Sequence, residues 1–374
     1  MSKKGPVAVA AGGTGGHLFP AAALSHALAA RGFTVHLVTD ERAAKYSGDF
    51  PAVAVHMLAA ATPSGGSLVR RVQAIVTIIR ATRAARRLFK QIRPQAVIGF
   101  GGYPAVPPVL AASRLGVPVL LHEGNAVIGR ANLFLANRAE AIAKGFEVLG
   151  GIPDRMAAKT HLTGNPVRPM VIEAARAVFP DYSDGKMRLL VTGGSQGARI
   201  FSDIVPAAIE LLPREARQGL LITQQARAED AERVRETYER LGVAAEIRTF
   251  FADLPARIAQ AHLVIARAGA STVSELAVIG RPSILVPLPG AIDQDQAANA
   301  EQFAATGAAI VVAQSVFSPQ WLANSLLEAQ ADMDGLARRA AAAKAAGIAD
   351  AAERLADLVQ RLVANKDNIH EAAG

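Results

Sequence analysis

The sequence predicts two α/β domains, each built on a parallel sheet, and three observations carry that reading. An apolar run, Val7 to Ala11, ends in the glycine turn Gly12-Gly13-Thr14-Gly15-Gly16, and a helical stretch, Leu18 to Ala30, follows. The same opening recurs about 180 residues later, where Arg188 to Thr192 leads into Gly193-Gly194-Ser195-Gln196-Gly197-Ala198-Arg199 and a second helix. Finally, 374 residues exceed what one core ordinarily serves and suit two domains of roughly 150 to 180 residues.

Further strands are expected in the first half at Thr34 to Thr39, Ala96 to Phe100 and Val117 to His122. In the second half they are expected at Gly219 to Thr223, Ala245 to Phe250, His262 to Ala266 and Ser283 to Pro287. Apolar runs alternating with helices mean parallel strands covered on both faces. The domains are therefore expected to be Rossmann-like and to face each other across a cleft. Their expected spans are 1–165 and 166–349, with Gly164-Asn165-Pro166 as the hinge. From about Leu336 to Ala364 the chain is alanine-rich and strongly helical in propensity, and its end, about 350–374, could pack back on the first domain.

Composition narrows the function. Hydrophobic residues make up 51% and charged residues 19%, which excludes a disordered chain. No window holds 18 consecutive apolar residues, and a glycine loop stands where a signal peptide would need its cleavage site, so a cytoplasmic protein is expected. The absence of cysteine excludes disulfides, thiolate metal sites and a cysteine nucleophile. Charge is uneven: residues 1–165 carry 19 Lys+Arg against 7 Asp+Glu, and residues 166–374 carry 21 against 25. Such asymmetry points to a polyanion or an anionic membrane facing the first half. Aromatics, at 5%, are too few for single-stranded nucleic acid stacked on rings.

The first glycine loop is not the dinucleotide fingerprint, because Leu18 stands where the third glycine should be, and it lacks the lysine of a P-loop. Its glycines allow a ligand to approach the backbone at a helix N-terminus, where free N–H groups favour negative charge. His17 follows directly. A helix N-terminus disfavours imidazolium, which suits a neutral general base, although a capping or substrate-contact role fits the same position. Ser195 in the second loop suits a diphosphate or an ordinary N-cap. The segment Ala270-Ser271-Thr272-Val273-Ser274-Glu275 puts Glu275 one turn into a helix, where a carboxylate can accept two ribose hydroxyls; alone, it reads as helix capping. Asp293-Gln294-Asp295-Gln296 has the Asp-x-Asp spacing of a metal site but lies deep in the second half, and reads better as a sugar-hydroxyl loop.

Together these pieces resemble the peptidoglycan glycosyltransferase family that adds N-acetylglucosamine to lipid I, within the two-domain GT-B class. Gly99-Phe100-Gly101-Gly102-Tyr103, His122-Glu123-Gly124-Asn125, Gly164-Asn165-Pro166-Val167-Arg168, Arg267 to Glu275 and Asp293 to Asn299 join the two glycine loops in an ordered series over some 290 residues. The resemblance implies inverting transfer from UDP-N-acetylglucosamine to a C4 hydroxyl of lipid I, with His17 catalytic. It assigns donor binding to Thr14, Gly15, Gly16, Asn125, Arg168, Ser195, Phe251, Ala270, Ser271, Thr272, Val273, Ser274, Glu275 and Gln296. It implies no cofactor, no metal and no nucleic acid. Its partners are the two substrates, an anionic membrane surface and other proteins of cell-wall synthesis, and its place is the cytoplasmic face of the inner membrane. The chain departs from the family at Gly124, where a glutamine is usual, and at Asp295, where a second glutamine is usual; an Asp accepts hydrogen bonds and cannot donate them.

Between Gly65 and Arg93 lie eight basic residues and no acidic one. Ile75 and Ile79, with Val72 or Val76, share a helical face, and basic groups that include Arg71, Arg80 and Arg83 flank it. This reads as a peripheral docking surface; the plainer alternative is a core-facing helix with a solvated basic side. Three rival functions share parts of the pattern. A UDP-N-acetylglucosamine 2-epimerase would use the same fold and donor but has no use for the basic segment. An NAD-dependent oxidoreductase would place Asp40 on a ribose, against the missing third glycine. A non-catalytic lipid-binding protein of the cell-wall machinery would need neither substrate pocket.

Overall fold

The computed structural model describes residues 4–13, 15–41, 50–61, 67–194, 197–290 and 294–371. The chain divides into two compact units, Met1–Arg168 with Ala349–Gly374, and Pro169–Ile348.

The first unit holds a parallel sheet of β1 (Pro6–Ala10), β2 (Thr34–Thr39), β3 (Ala54–Met57), β4 (Ala96–Gly99), β5 (Val119–Glu123), β6 (Ala141–Lys144) and β7 (Thr160–Leu162). Their spatial order is β3-β2-β1-β4-β5-β6-β7. The central strands β1 and β4 read as unbroken apolar runs because both faces are covered and alternate residues point to opposite sides. Val7, Val9, Leu37, Ile98 and Leu120 pack against the helices Gly15–Ala30 and Ala351–Glu371. Ala8, Val38, Val97, Leu121 and Ile142 pack against Leu68–Ile92, Gly102–Arg114 and Arg130–Leu135. The alanine-rich C-terminal stretch forms two helices. Met333–Ala346 belongs to the second unit and Ala351–Glu371 to the first. The break falls at Gly347, where a Cβ would stand 2.6 Å from the carbonyl oxygen of Ala277, so no other residue fits without a shift. In the first unit Arg31 then donates to Asp357 and Glu353 of the terminal helix.

The helix Leu68–Ile92 turns Ala74, Ala81, Ala85 and Phe89 to the core. Val72, Ile75, Val76 and Ile79 stay 41–53% exposed, so the core-facing stripe is a different set from the isoleucine face. Of the described residues, no helix is long and apolar enough to cross a membrane.

The second unit holds β8 (Met187–Thr192), β9 (Leu220–Gln225), β10 (Ala244–Arg248), β11 (Leu263–Ala266), β12 (Ser283–Leu285) and β13 (Ala309–Val311), in the order β10-β9-β8-β11-β12-β13. Taken within this unit that is the 3-2-1-4-5-6 order of a Rossmann sheet, whose switch point lies between β8 and β11. In the first unit the switch point lies between β1 and β4. The predicted hinge Gly164-Asn165-Pro166 is packed into the first unit, with Thr163 and Asn165 at 3% exposure and Val167 at 7%.

Candidate active site

The first switch point is a set of turns without side chains. The missing Cβ of Gly12 would stand 2.8 Å from Asp40 Oδ1 and 2.9 Å from Pro104 Cβ, and the Gly13 N–H donates to Asp40 Oδ1 at 2.9 Å. Asp40 is therefore buried beneath the loop and holds its backbone; that use leaves the dinucleotide reading without its ribose ligand. Thr14 lies outside the described residues. Gly15 and Gly16 open the helix, and His17 is its third residue, half-buried. The turn after β4 runs beside the imidazole. Gly101 and Gly102 have φ of +81° and +67°, and a Cβ on either would come within 3.4 Å of the His17 ring.

Behind this position His122 is fully buried, tilted against Phe100 with ring centroids 5.0 Å apart. Burial pushes its pKa down to about 4; the Gly164 carbonyl, 3.4 Å from Nε2, opposes this shift and proximity to His17 adds to it. Asn125 stands on the loop after β5. Arg168 lays its guanidinium 4.5 Å from the centroid of the Phe19 ring, two residues beyond His17 in the same helix. His17, His122, Asn125 and Arg168 are thus all carried by the first unit.

In the second unit the turn after β8 is held by one buried side chain. Gln225 Oε1 accepts from the Gly193 N–H and from Thr192 Oγ1, each at 3.0 Å. Its Nε2 donates to the carbonyls of Gly194 at 3.0 Å and Thr249 at 3.2 Å. A Cβ on Gly193 would stand 2.2 Å from the Ala198 nitrogen, so the turn requires glycine there. Ser195 lies outside the described residues, but the N-cap position of the following helix, Arg199–Leu211, is Ala198, which offers no side-chain acceptor.

Beside it, Thr192 pairs with Ala266 across β8 and β11, so the next turn leaves the sheet alongside the first. Arg267 pins that turn: Nη1 donates to the carbonyls of Val286 at 3.0 Å and Pro287 at 3.1 Å, and Nη2 to Gln314 Oε1 at 2.7 Å. Asn299 Nδ2 donates to Ala268 O at 3.1 Å. The helix Ala270–Ile279 then starts on Gly269, without a side-chain cap. The N-cap is thus a glycine and not one of the serines or the threonine that, read alone, suggested capping. Ser271 Oγ is buried and has no hydrogen-bond partner among the described residues, Val273 points into the core, and Glu275 is 6% exposed. Two helix N-termini without side-chain caps at neighbouring strand ends are a site for an anion with two centres of charge, such as a diphosphate.

Gln296 Oε1 accepts from the Leu288 N–H at 3.1 Å, which ties it to the turn after β12. Asp295 Oδ1 accepts from the Gln296 N–H at 2.9 Å, within its own helix start. Asp293 lies outside the described residues. Phe251 is buried at 5% exposure with the Arg257 guanidinium 4.4 Å from its ring centroid, so only its backbone is open to a ligand. No group of three or more His, Cys, Asp or Glu that could hold a metal occurs among the described residues. Sequence reasoning passed over Gln225, Asn132 and the supporting role of Asp40. For Gln225 the signal was a Gln-Gln pair closing an otherwise apolar strand.

Residues 7–144 match the glycosyltransferase family 28 N-terminal domain and residues 188–355 the glycosyltransferase family 28 C-terminal domain. A protein of Methylorubrum populi is 54% identical over 360 residues, covering 96% of this chain and 97% of its own. One of Brucella suis is 51% identical over 370 residues, covering 98% and 96%. Both carry the name UDP-N-acetylglucosamine--N-acetylmuramyl-(pentapeptide) pyrophosphoryl-undecaprenol N-acetylglucosamine transferase. Among solved structures, MurG of Acinetobacter baumannii aligns with a TM-score of 0.79 at 30% identity over 96% of this chain and 100% of that one. A putative UDP-N-acetylglucosamine 2-epimerase of Listeria monocytogenes aligns with a TM-score of 0.66 at 15% identity over 95% of each, a likeness of fold alone.

Proposed function

The chain belongs to glycosyltransferase family 28, and from that premise we infer that it is the hexosyltransferase of the GT-B fold that moves N-acetylglucosamine from UDP-N-acetylglucosamine to lipid I. Identity of 51–54% to relatives of that name, across nearly the whole chain, carries the reading. The product is the β-1,4-linked disaccharide on undecaprenyl diphosphate.

The C4 hydroxyl of the muramoyl sugar attacks the anomeric carbon of the donor in line. His17 accepts the hydroxyl proton as the new C–O bond forms and the bond to UDP breaks, so the configuration inverts. Its place at a helix N-terminus supports the neutral, proton-accepting form. Negative charge gathers on the departing diphosphate, and the uncapped N-termini of Arg199–Leu211 and Ala270–Ile279, with Arg168 and Ser195, are suited to receive it without a metal. Thr14, Gly15, Gly16, Asn125, Ser271 to Glu275 and Gln296 complete the donor site, with Ala270, Val273 and Phe251 contributing backbone.

The acceptor is lipid-borne, which gives the helix Leu68–Ile92 its use. Val72, Ile75 and Ile79 enter the interface while Arg71, Arg80 and Arg83 meet anionic headgroups, each basic group worth about 1 kcal/mol near such a surface. The protein then works as a peripheral enzyme on the cytoplasmic face of the inner membrane.

Titration calorimetry of UDP into the purified protein tests the donor site. One saturable site per chain, unchanged by EDTA, is expected; no heat of binding from the folded protein overturns the reading.

A further inference from the structure

Glu123 closes β5 at 3% exposure and has no part in the chemistry above. Its two carboxylate oxygens nevertheless collect four N–H donors. Oε1 accepts from the backbone N–H of Asn125 at 3.1 Å and from Asn125 Nδ2 at 3.3 Å. Oε2 accepts from the backbone N–H of Gly129 and from Asn132 Nδ2, each at 2.9 Å. Asn132 spends its other amide hydrogen on the His122 carbonyl at 3.0 Å. The same Nδ2 lies 3.2 Å from where a Cβ on Gly101 would stand, in the turn that runs beside His17.

A carboxylate accepts on both oxygens, whereas the isosteric carboxamide must turn its NH₂ group against one pair of donors. Charge-assisted hydrogen bonds are also roughly twice as strong as neutral ones. We propose that Glu123 is a positioning residue for the transfer reaction: its carboxylate fixes Asn125 and the 124–129 loop for donor binding. The proposal rests on the function assigned above, since it is Asn125 that would meet the donor.

Glu123→Gln and Glu123→Ala, measured in the full chain, separate this role from simple packing. Both are expected to raise KM for UDP-N-acetylglucosamine at least about tenfold, the size of one charge-assisted hydrogen bond. The glutamine variant should fare no better than the alanine one. Amide exchange at Asn125 and Gly129 should quicken in step. Asn125→Ala made in the Glu123→Gln background should add little further loss, because the two residues act as a unit. A Glu123→Gln protein with wild-type KM and wild-type exchange at Asn125 overturns the proposal. So does one that loses kcat alone, as a smaller folded fraction would give. If Glu123→Gln does not fold, Glu123→Asp keeps the charge and shortens the reach, and the same two readouts decide. If the wild-type chain transfers no sugar, the function fails and the exchange arm still decides whether Glu123 holds the loop.

Discussion

The His17 ring lies beside Gly101 and Gly102, where an added Cβ would meet it at ordinary contact distance, and both glycines sit at positive φ, where other residues would be strained. His17→Ala is expected to lower kcat at least about 10²-fold, the usual contribution of a positioned base, with KM for the donor little changed. A variant that keeps most of its kcat removes His17 from that role. The neighbouring His122 gives a pH signature. Its folded pKa of about 4 lies below the ordinary 6.5, so between those values the unfolded chain binds a proton that the folded chain does not. Stability contributed by this residue is therefore complete above about pH 6.5 and falls as the pH drops toward 4. Going from pH 7 to pH 5 should cost about 2 kcal/mol through His122 alone. Denaturant unfolding at both pH values, compared with His122→Asn, measures it; equal losses in the two proteins would contradict the assignment. At this scale the sequence displayed His17, because a histidine directly after a glycine loop is visible in one dimension. Asp40, Asn132 and Gln225 were not legible, since each acts on backbone 27 to 32 residues away or on a carboxylate met only after folding.

Among the elements, the strands read from the sequence are β1, β2, β4, β5, β8, β9, β10, β11 and β12, with the edge strand β10 expected over 245–250 and found to end at Arg248. Those passed over are short and lie at or next to a sheet edge: β3, β6, β7 and β13. Thr160-His161-Leu162 and Ala54-Val55-His56-Met57 have partly exposed faces and owe their conformation to one paired neighbour rather than to their own pattern. Within the alanine-rich stretch 336–364 propensity is local and does not mark the break at Gly347, which is set by a carbonyl 70 residues away. The glycine turns carry the firmest element-scale prediction. Gly193→Ala would push a Cβ to 2.2 Å from the Ala198 nitrogen, so the turn must open. UDP affinity should fall at least about tenfold, the worth of one hydrogen bond to a charged group; an unchanged Kd by calorimetry would show that this turn does not hold the diphosphate. On the helix Leu68–Ile92, the double variant Ile75→Ser/Ile79→Ser should leave Tm essentially unchanged, because these side chains stand half in solvent. It should also reduce co-sedimentation with phosphatidylglycerol vesicles several-fold, and equal sedimentation would assign the face to another partner.

Across the whole molecule, the excess of basic over acidic residues is confined to residues 1–165, the half that carries the exposed isoleucine helix, and the half that follows is slightly acidic. That division suits the membrane-docking acceptor side proposed above, because an anionic surface attracts the basic half. Family membership follows from motifs spread in order over both halves; no single motif would have established it, since each glycine loop alone fits several nucleotide enzymes. In the proposed reaction the sugar of a uridine diphosphate donor ends on a lipid-borne alcohol. Incubation of the purified chain with UDP-N-acetylglucosamine labelled in the sugar and a lipid I analogue tests this most directly. The label is predicted to enter the lipid fraction in a β-1,4 linkage, one for one with UDP released. Label that stays in water, whether as unchanged donor or as its 2-epimer, would contradict it.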